Sequence, residues 1–292
     1  MSRFCNVCGR RTVGGHFLYR RIEAEQEKGL VVCPHCEQDA QRCTICQIPI
    51  HPSVSHDGLC LSCAANVPIC AACDQSIIGH AVYNCTNDAH YCEHCFEHLP
   101  HCAACGGAGH NGYQRHDGRF ICAQCHETAV YDLATANNLY RRVMAVMSYH
   151  LGMRLKLRPA LILVDRNQML EILKQTSGQQ MDKPEQVFGM FVQRHNKRGI
   201  YVQSDLPQIL TIEVMAHEHA HAWQAENCPW LRDTLVIEGF AEWAAYRVLT
   251  ILGAGKKAAL MEERTDIYGQ GLQLMLALER QGGAAAVFEA CQ

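Results

Sequence analysis

Residues 209–223 read ILTIEVMAHEHAHAW. The run is apolar apart from Glu213 and the cluster His217, Glu218, His219 and His221, so the charged and ring-bearing residues must face something specific. Pro207 suits a first helical position, and the spacing predicts a helix from there to about Asn227. On a helix, residues four apart share a face, so His217 and His221 can grip one metal ion. Glu218 follows the first histidine, where a carboxylate can hold a water beside the ion and take its proton. His219 lies near the opposite face and is expected to pack or to meet solvent. A catalytic zinc needs a third protein ligand and an open position. The segment VIEGFAEW, residues 236–243, reads as the start of a second helix with Glu238 and Glu242 on one face. Glu238 is assigned as the third ligand, and Glu242 as the acceptor that orients a ligand histidine. The reverse assignment is the alternative.

Working outward, the front of the chain is dominated by cysteine. Of 19 cysteines, 17 lie at or before Cys125. Sixteen form eight Cys-x-x-Cys pairs: Cys5/Cys8, Cys33/Cys36, Cys43/Cys46, Cys60/Cys63, Cys70/Cys73, Cys92/Cys95, Cys102/Cys105 and Cys122/Cys125. A two-residue gap lets both sulfurs of a tight turn reach one ion about 2.3 Å away. Disulfide frameworks have no reason to repeat that gap, so zinc is expected rather than a secreted disulfide scaffold. Taken in order, the pairs make four units, each a pair, a spacer and a second pair. Spacers carry turns such as His56-Asp57-Gly58 and His116-Asp117-Gly118, and each second pair leads into a possible short helix. Pair, hairpin, pair and helix together describe a treble-clef or LIM-type finger. Such units are too small to hold a core, so the metal must supply much of their folding energy.

Charge restricts the partners. Residues 1–130 hold 9 Lys/Arg against 12 Asp/Glu, and sixteen thiolates around four divalent ions add eight negative charges. Nucleic-acid binding needs a basic patch, so protein partners are expected and nucleic acid is not. The N-terminus MSRFCNVCGR has no apolar core of signal-peptide length, and no window approaches eighteen apolar residues. The expectation is a cytoplasmic protein that does not enter a membrane.

Beyond Thr128 the cysteine pairs stop. ETAVYDLATANNLYRRVMAVMSYHLGM, residues 127–153, has helical periodicity. PALILVD reads as a buried strand, RNQMLEILKQ as a helix, and TSGQQMDKPEQ as a loop. VFGMFVQ and GIYVQSD read as a hairpin joined by RHNKRG. GIYVQSD immediately precedes the His217 helix, so an extended substrate could pair with its edge. Further helices follow, punctuated by Gly253-Ala254-Gly255 and Gly282-Gly283. The predicted class is α+β: an array of small zinc fingers, then a mostly helical zincin-like domain with a small sheet. Boundaries are set at 1–40 for a zinc-ribbon-like finger, 41–127 for three LIM-like four-cysteine sites, and 128–292 for the peptidase domain.

The stretches AHEHAHAW and IEGFAEW resemble the gluzincin metallopeptidases, whose pattern is HExxH with a later Glu ligand in an Asn/Glu-Glu-Gly-x-Ala element. More specifically, CAACDQSIIGHAVYNC, LILVDRNQM, GIYVQSD, AHEHAHAW, IEGFAEW and IYGQGL are similar to LIM-domain-containing peptidases whose plant members restrict organ growth and are activated by ubiquitination. The resemblance covers most of the chain from Cys70 to about Leu272, apart from TSGQQMDKPEQ. It implies His217, His221 and Glu238 as zinc ligands, Glu218 as general base, and Cys70, Cys73, Cys92 and Cys95 as one LIM-type site. It also brings in ubiquitin or a ubiquitin-like partner. Departures are visible. Cys92 stands where a LIM site usually has histidine, with His90 nearby as a second candidate ligand. Cys95 and Cys102 are separated by six residues, where two LIM fingers lie two apart. RRIEAEQEKG is too short for a ubiquitin-interacting helix.

The expected function is zinc-dependent endopeptidase action on protein substrates, with one catalytic and about four structural Zn²⁺ ions. The fingers would recruit substrate or regulate the cleft. The oxyanion donor is assigned to Tyr268, in the family-like IYGQGL, with Tyr246 as the other candidate. The alternative class is a zinc-finger adaptor with an inactive HExxH site. Cys85, Cys228 and Cys291 have no assigned role.

Overall fold

The computed structural model describes residues 4–12, 15–23, 26–50, 58–79, 82–84, 89–176, 187–195 and 197–291. They fall into two compact units, Met1–Leu99 and Pro100–Gln292. The helical unit thus begins at Pro100 rather than at 128, and it contains the fourth cysteine cluster.

In the first unit, a hairpin of β1 (Phe17–Glu23) and β2 (Gln26–Val32) leads into the short helix α1 (Pro34–Asp39). Helix α2 (Leu61–Ala64) carries Cys63 of the second cluster. A shorter hairpin, β3 (Val82–Asn84) with β4 (His90–Cys92), leads into α3 (Glu93–His98). Each helix begins between the two cysteines of a second pair. Cys33, Cys60 and Cys92 are N-cap residues in extended conformation, so the next cysteine returns on the first turn. The core of each finger is the cluster itself plus a few apolar side chains, such as Val32, Leu59 and Ile77. The first finger has a longer hairpin than the third but the same sequence of knuckle, hairpin and helix.

The second unit opens on the same pattern: β5 (Gly112–Gln114), β6 (Phe120–Cys122) and α4 (Ala123–Glu127). The predicted 127–153 helix loses its first turn. Residues Ala129–Val130 form β7, paired with β11 (Leu206–Pro207). Helix α5 (Leu133–His150) starts only where the Asp132 carboxylate accepts a hydrogen bond from Thr135 N at 2.8 Å. Then come β8 (Ala160–Val164), α6 (Arg166–Thr176), β9 (Gly189–Arg194) and β10 (Lys197–Gln203). The predicted loop over 176–186 and Cys85 lie outside the described residues, except Thr176, which ends α6. The sheet order is β8-β10-β9, with β10 parallel to β8 and antiparallel to β9. GIYVQSD therefore forms the central strand, and the edge strands are β8 and β9. The cause is β8, which occupies the side of β10 that the local hairpin left open.

Helices α7 (Gln208–Asn227) and α8 (Thr234–Ile251) form the centre, followed by α9 (Gly255–Glu262) and α10 (Ile267–Glu289), which kinks at Gly282-Gly283. Helix α7 is buried along most of its middle, from Thr211 to Gln224, and α8 is mostly apolar, which suits helices enclosed by others. Helix α5 covers α7, and α10 packs along α8. Phe240 and Trp243 are fully buried against Trp223 and Phe288. Among the described residues, no helix is long and apolar enough to cross a membrane. The fold is mixed helix and strand with small sheets, as the α+β reading expects.

Candidate metal centre

Four clusters of four cysteines bring together all sixteen paired residues. They are Cys5, Cys8, Cys33 and Cys36; Cys43, Cys46, Cys60 and Cys63; Cys70, Cys73, Cys92 and Cys95; and Cys102, Cys105, Cys122 and Cys125. His90 is not among them. Sulfurs from opposite pairs lie 3.9 Å apart at Cys8/Cys33, 3.8 Å at Cys46/Cys60 and 3.9 Å at Cys105/Cys122. A tetrahedron with metal–sulfur bonds of about 2.3 Å has edges of about 3.8 Å, so the spacing fits one ion per cluster. A disulfide would need about 2 Å. Backbone N–H groups also aim at the first sulfur of each site: Cys33 N lies 3.3 Å from Cys5 Sγ, Cys92 N 3.4 Å from Cys70 Sγ and Cys122 N 3.3 Å from Cys102 Sγ. Burial alone would raise these thiols, but the N–H donors prevail and hold Cys5, Cys43 and Cys70 at about 6. In the same clusters burial and the neighbouring sulfurs raise Cys36, Cys63 and Cys95, as expected where four sulfurs crowd together without a cation, and the four sets are consistent with about four structural zinc ions.

A fifth group sits in the helical unit. Helix α7 stacks His217 and His221 one turn apart, with their Nε2 atoms 3.0 Å from each other. Helix α8 adds Glu238, whose Oε2 is 3.3 Å from His217 Nε2 and 3.5 Å from His221 Nε2. The outer ring nitrogens are both engaged. His217 Nδ1 meets Glu242 Oε2 at 3.0 Å, and His221 Nδ1 meets Gln224 Oε1 at 2.9 Å. The Gln224 orientation follows from its amide, which donates to Ile237 O at 3.0 Å and leaves Oε1 to accept. With each Nδ1 carrying its proton outward, two Nε2 lone pairs and a carboxylate converge on one point. Such a set repels itself unless a cation stands between, so the donors fit a divalent ion. The same demand for positive charge shows in protonation. Burial opposes charge on His217, yet Glu238 and Glu242 raise its pKa well above the ordinary histidine value. Burial would raise Glu238, yet the two imidazoles hold it far below the usual carboxylate range.

Glu242 is anchored in turn. Its Oε1 accepts from Arg264 Nη1 at 2.7 Å, and Arg264 Nη2 pairs with Asp266 at 2.7 Å. Asp266 caps α10 through Gly269 N at 3.0 Å, and the Arg264 guanidinium lies 4.8 Å from the Tyr268 ring centre. Tyr268 itself stands beside His217, with ring centres 5.9 Å apart. Burial, reinforced by the charge of Glu238, pushes its phenol up to about 12, so it keeps its proton and can donate. Tyr246 is turned elsewhere: its hydroxyl donates to Glu262 at 2.8 Å.

Glu218 faces the edge strand, and its Oε2 accepts from Phe191 N at 2.7 Å. The strand comes this near because residue 189 is glycine. A Cβ there would lie 2.3 Å from Val214 Cγ1 and 3.0 Å from Glu218 Cγ. His219 is a packing residue. It is buried, meets the Tyr140 hydroxyl at 3.1 Å, and burial pushes it down to about 4, so it stays neutral. Cys228 and Cys291 are buried thiols, and Gln224 Nε2 lies 3.6 Å from Cys291 Sγ.

Sequence reasoning brought His217, His221, Glu238, Glu242 and Tyr268 together and missed Gln224 and Arg264. Gln224 carried a faint signal, being three residues after His221 on the same helix. Arg264 carried none, since it reaches Glu242 from a different segment. No protein-family model, no curated protein and no solved structure matches the chain.

Proposed function

We propose that the chain is a zinc-dependent endopeptidase of the gluzincin type, with a fold akin to the zincins and front fingers that hold protein partners. One observation carries the reading: two imidazoles, each locked by an outward Nδ1 bond, converge with Glu238 while the Glu218 carboxylate stands beside them. A zinc ion bound by His217, His221 and Glu238 would supply Lewis-acid polarisation of a scissile carbonyl and acidify a water. Glu218 accepts that water's proton and returns it to the leaving nitrogen. The Tyr268 hydroxyl, protonated and next to His217, donates to the oxygen that gains charge. An extended substrate pairs along β9, the edge that bears Phe191 N, rather than along the enclosed β10. The LIM-type pattern of the fingers, and the ubiquitin-related partner it implies, belong to the same proposal. The cytoplasm is the compartment that suits sixteen reduced thiols.

The test compares wild type with Glu218→Gln for zinc content and for cleavage of an unfolded protein such as casein. About five zinc ions in both, with cleavage reduced at least ~10²-fold in the variant, supports the reading. Five ions in both with equal cleavage removes Glu218 as the base. Four ions in wild type removes the catalytic site and leaves a zinc-finger scaffold.

A further inference from the structure

Gln224 is out of place as a core residue. It is 6 % exposed, on a helix whose neighbours at that depth are alanine and tryptophan. A buried primary amide is costly to desolvate unless its donors and acceptor are matched. Here they are matched, and two of the three partners belong to the metal centre or border it. Oε1 accepts from His221 Nδ1 at 2.9 Å. Nε2 donates to Ile237 O at 3.0 Å, the carbonyl just before the ligand Glu238. A third contact, to Cys291 Sγ at 3.6 Å, occupies the remaining amide hydrogen.

We propose that Gln224 is a positioning residue that fixes His221 as an Nε2 ligand. This inference rests on the metal reading above. Without an acceptor at Nδ1, the His221 ring is free to place its proton on Nε2, where the ion must bind, and to rotate about its side-chain bonds. His217 has a charged acceptor for the same task, Glu242, neutralised in part by Arg264. The two histidines are thus held unequally, one by a carboxylate and one by an amide. The amide alone can do two things at once: accept from the ring on α7 and donate to the backbone of α8. A carboxylate at 224 would keep the first bond and lose the second.

Three variants separate positioning from packing. Gln224→Met keeps the volume and loses both bonds. Gln224→Asn stays polar but is too short to span both partners. Gln224→Glu keeps an acceptor for His221. Full-length proteins loaded with zinc are titrated with a chelator, and zinc retained per chain is followed alongside the thermal midpoint. The expected result is that the ion most easily lost from Q224M and Q224N is released at chelator concentrations ~10–100-fold lower than from wild type, whereas Q224E stays within about threefold of wild type. Q224N and Q224E carry the comparison if Q224M does not fold. Equal retention in wild type and Q224N, or release from Q224E matching that from Q224N, overturns the proposal, because packing alone does not depend on an acceptor at Nδ1. A wild type that holds only four ions overturns the metal reading itself, and this inference with it.

Discussion

Gly239 and Gly271 meet where α8 crosses α10, so closely that a Cβ on Gly271 would lie 2.5 Å from Gly239 Cα. Each glycine adjoins a residue of the proposed site. Glu238 precedes the first, and Tyr268 stands one turn before the second. The crossing distance therefore sets how near the α10 phenol comes to the α8 carboxylate.

Gly271→Ala weighs two opposed effects. Alanine favours a helix interior over glycine by about 1 kcal/mol. Against that, the added methyl meets backbone atoms, which no rotamer change relieves, and overpacking costs about 1–3 kcal/mol or more. The clash is expected to win. All three tryptophans, Trp223, Trp230 and Trp243, lie in this unit, so fluorescence-monitored denaturation reads the effect. A variant more stable than wild type would mean that the helices separate freely.

A second expectation concerns Arg119, which is 2 % exposed and joins Asp117 at 2.7 Å, Gln203 at 3.2 Å and Asp205 at 3.1 Å. Arg119→Met leaves the buried Asp117 carboxylate without a cation and Asp205 with Arg115 alone, a loss of about 3–5 kcal/mol near neutral pH. Burial would raise the Asp117 carboxyl, but Arg119 and the backbone N–H of Arg166 hold it at about 2. A carboxyl held below its unfolded value adds stability that is full above about pH 4 and fades as pH falls towards about 2. The gap between wild type and variant should narrow over that window in urea midpoints. A gap constant down to pH 2 would remove Asp117 from the account.

Metal loss should act unequally on the two units. Cys125→Ser opens the cluster that shares a unit with the helices, and Cys63→Ser opens one in the first unit. Tryptophan fluorescence should report an unfolding midpoint lowered by several degrees in the first variant and unchanged in the second. Equal shifts would contradict the division at Leu99–Pro100.

What was legible in the sequence was local. Cys-x-x-Cys fixes two ligands within one turn, and His217 to His221 or Glu238 to Glu242 needs only the helical repeat. What was illegible came from pairings over distance. Nothing in GIYVQSD foretold that β8 would take its open side. Arg119 lies next to the turn His116-Asp117-Gly118, and its partners Gln203, Ser204 and Asp205 lie more than 80 residues away. Gln224 looked like an ordinary helix residue because Ile237 and Cys291 are distant in sequence. Gly239 and Gly271 both stood inside the quoted motifs, but a glycine declares close approach only when the opposing backbone is known.

The Arg119 contacts bear on how such a chain can be rearranged over evolutionary time. Finger modules are ordinarily interchangeable beads, added or dropped at their linkers. The fourth bead here has lent its loop to the interior of its neighbour, so a splice between Cys125 and Ala129 would export a domain with Asp205 stripped of both Arg115 and Arg119, and Gln203 without its cation. The natural seam is at Pro100. Upstream of it, beads can be shuffled; downstream, the finger is inherited together with the helices it braces.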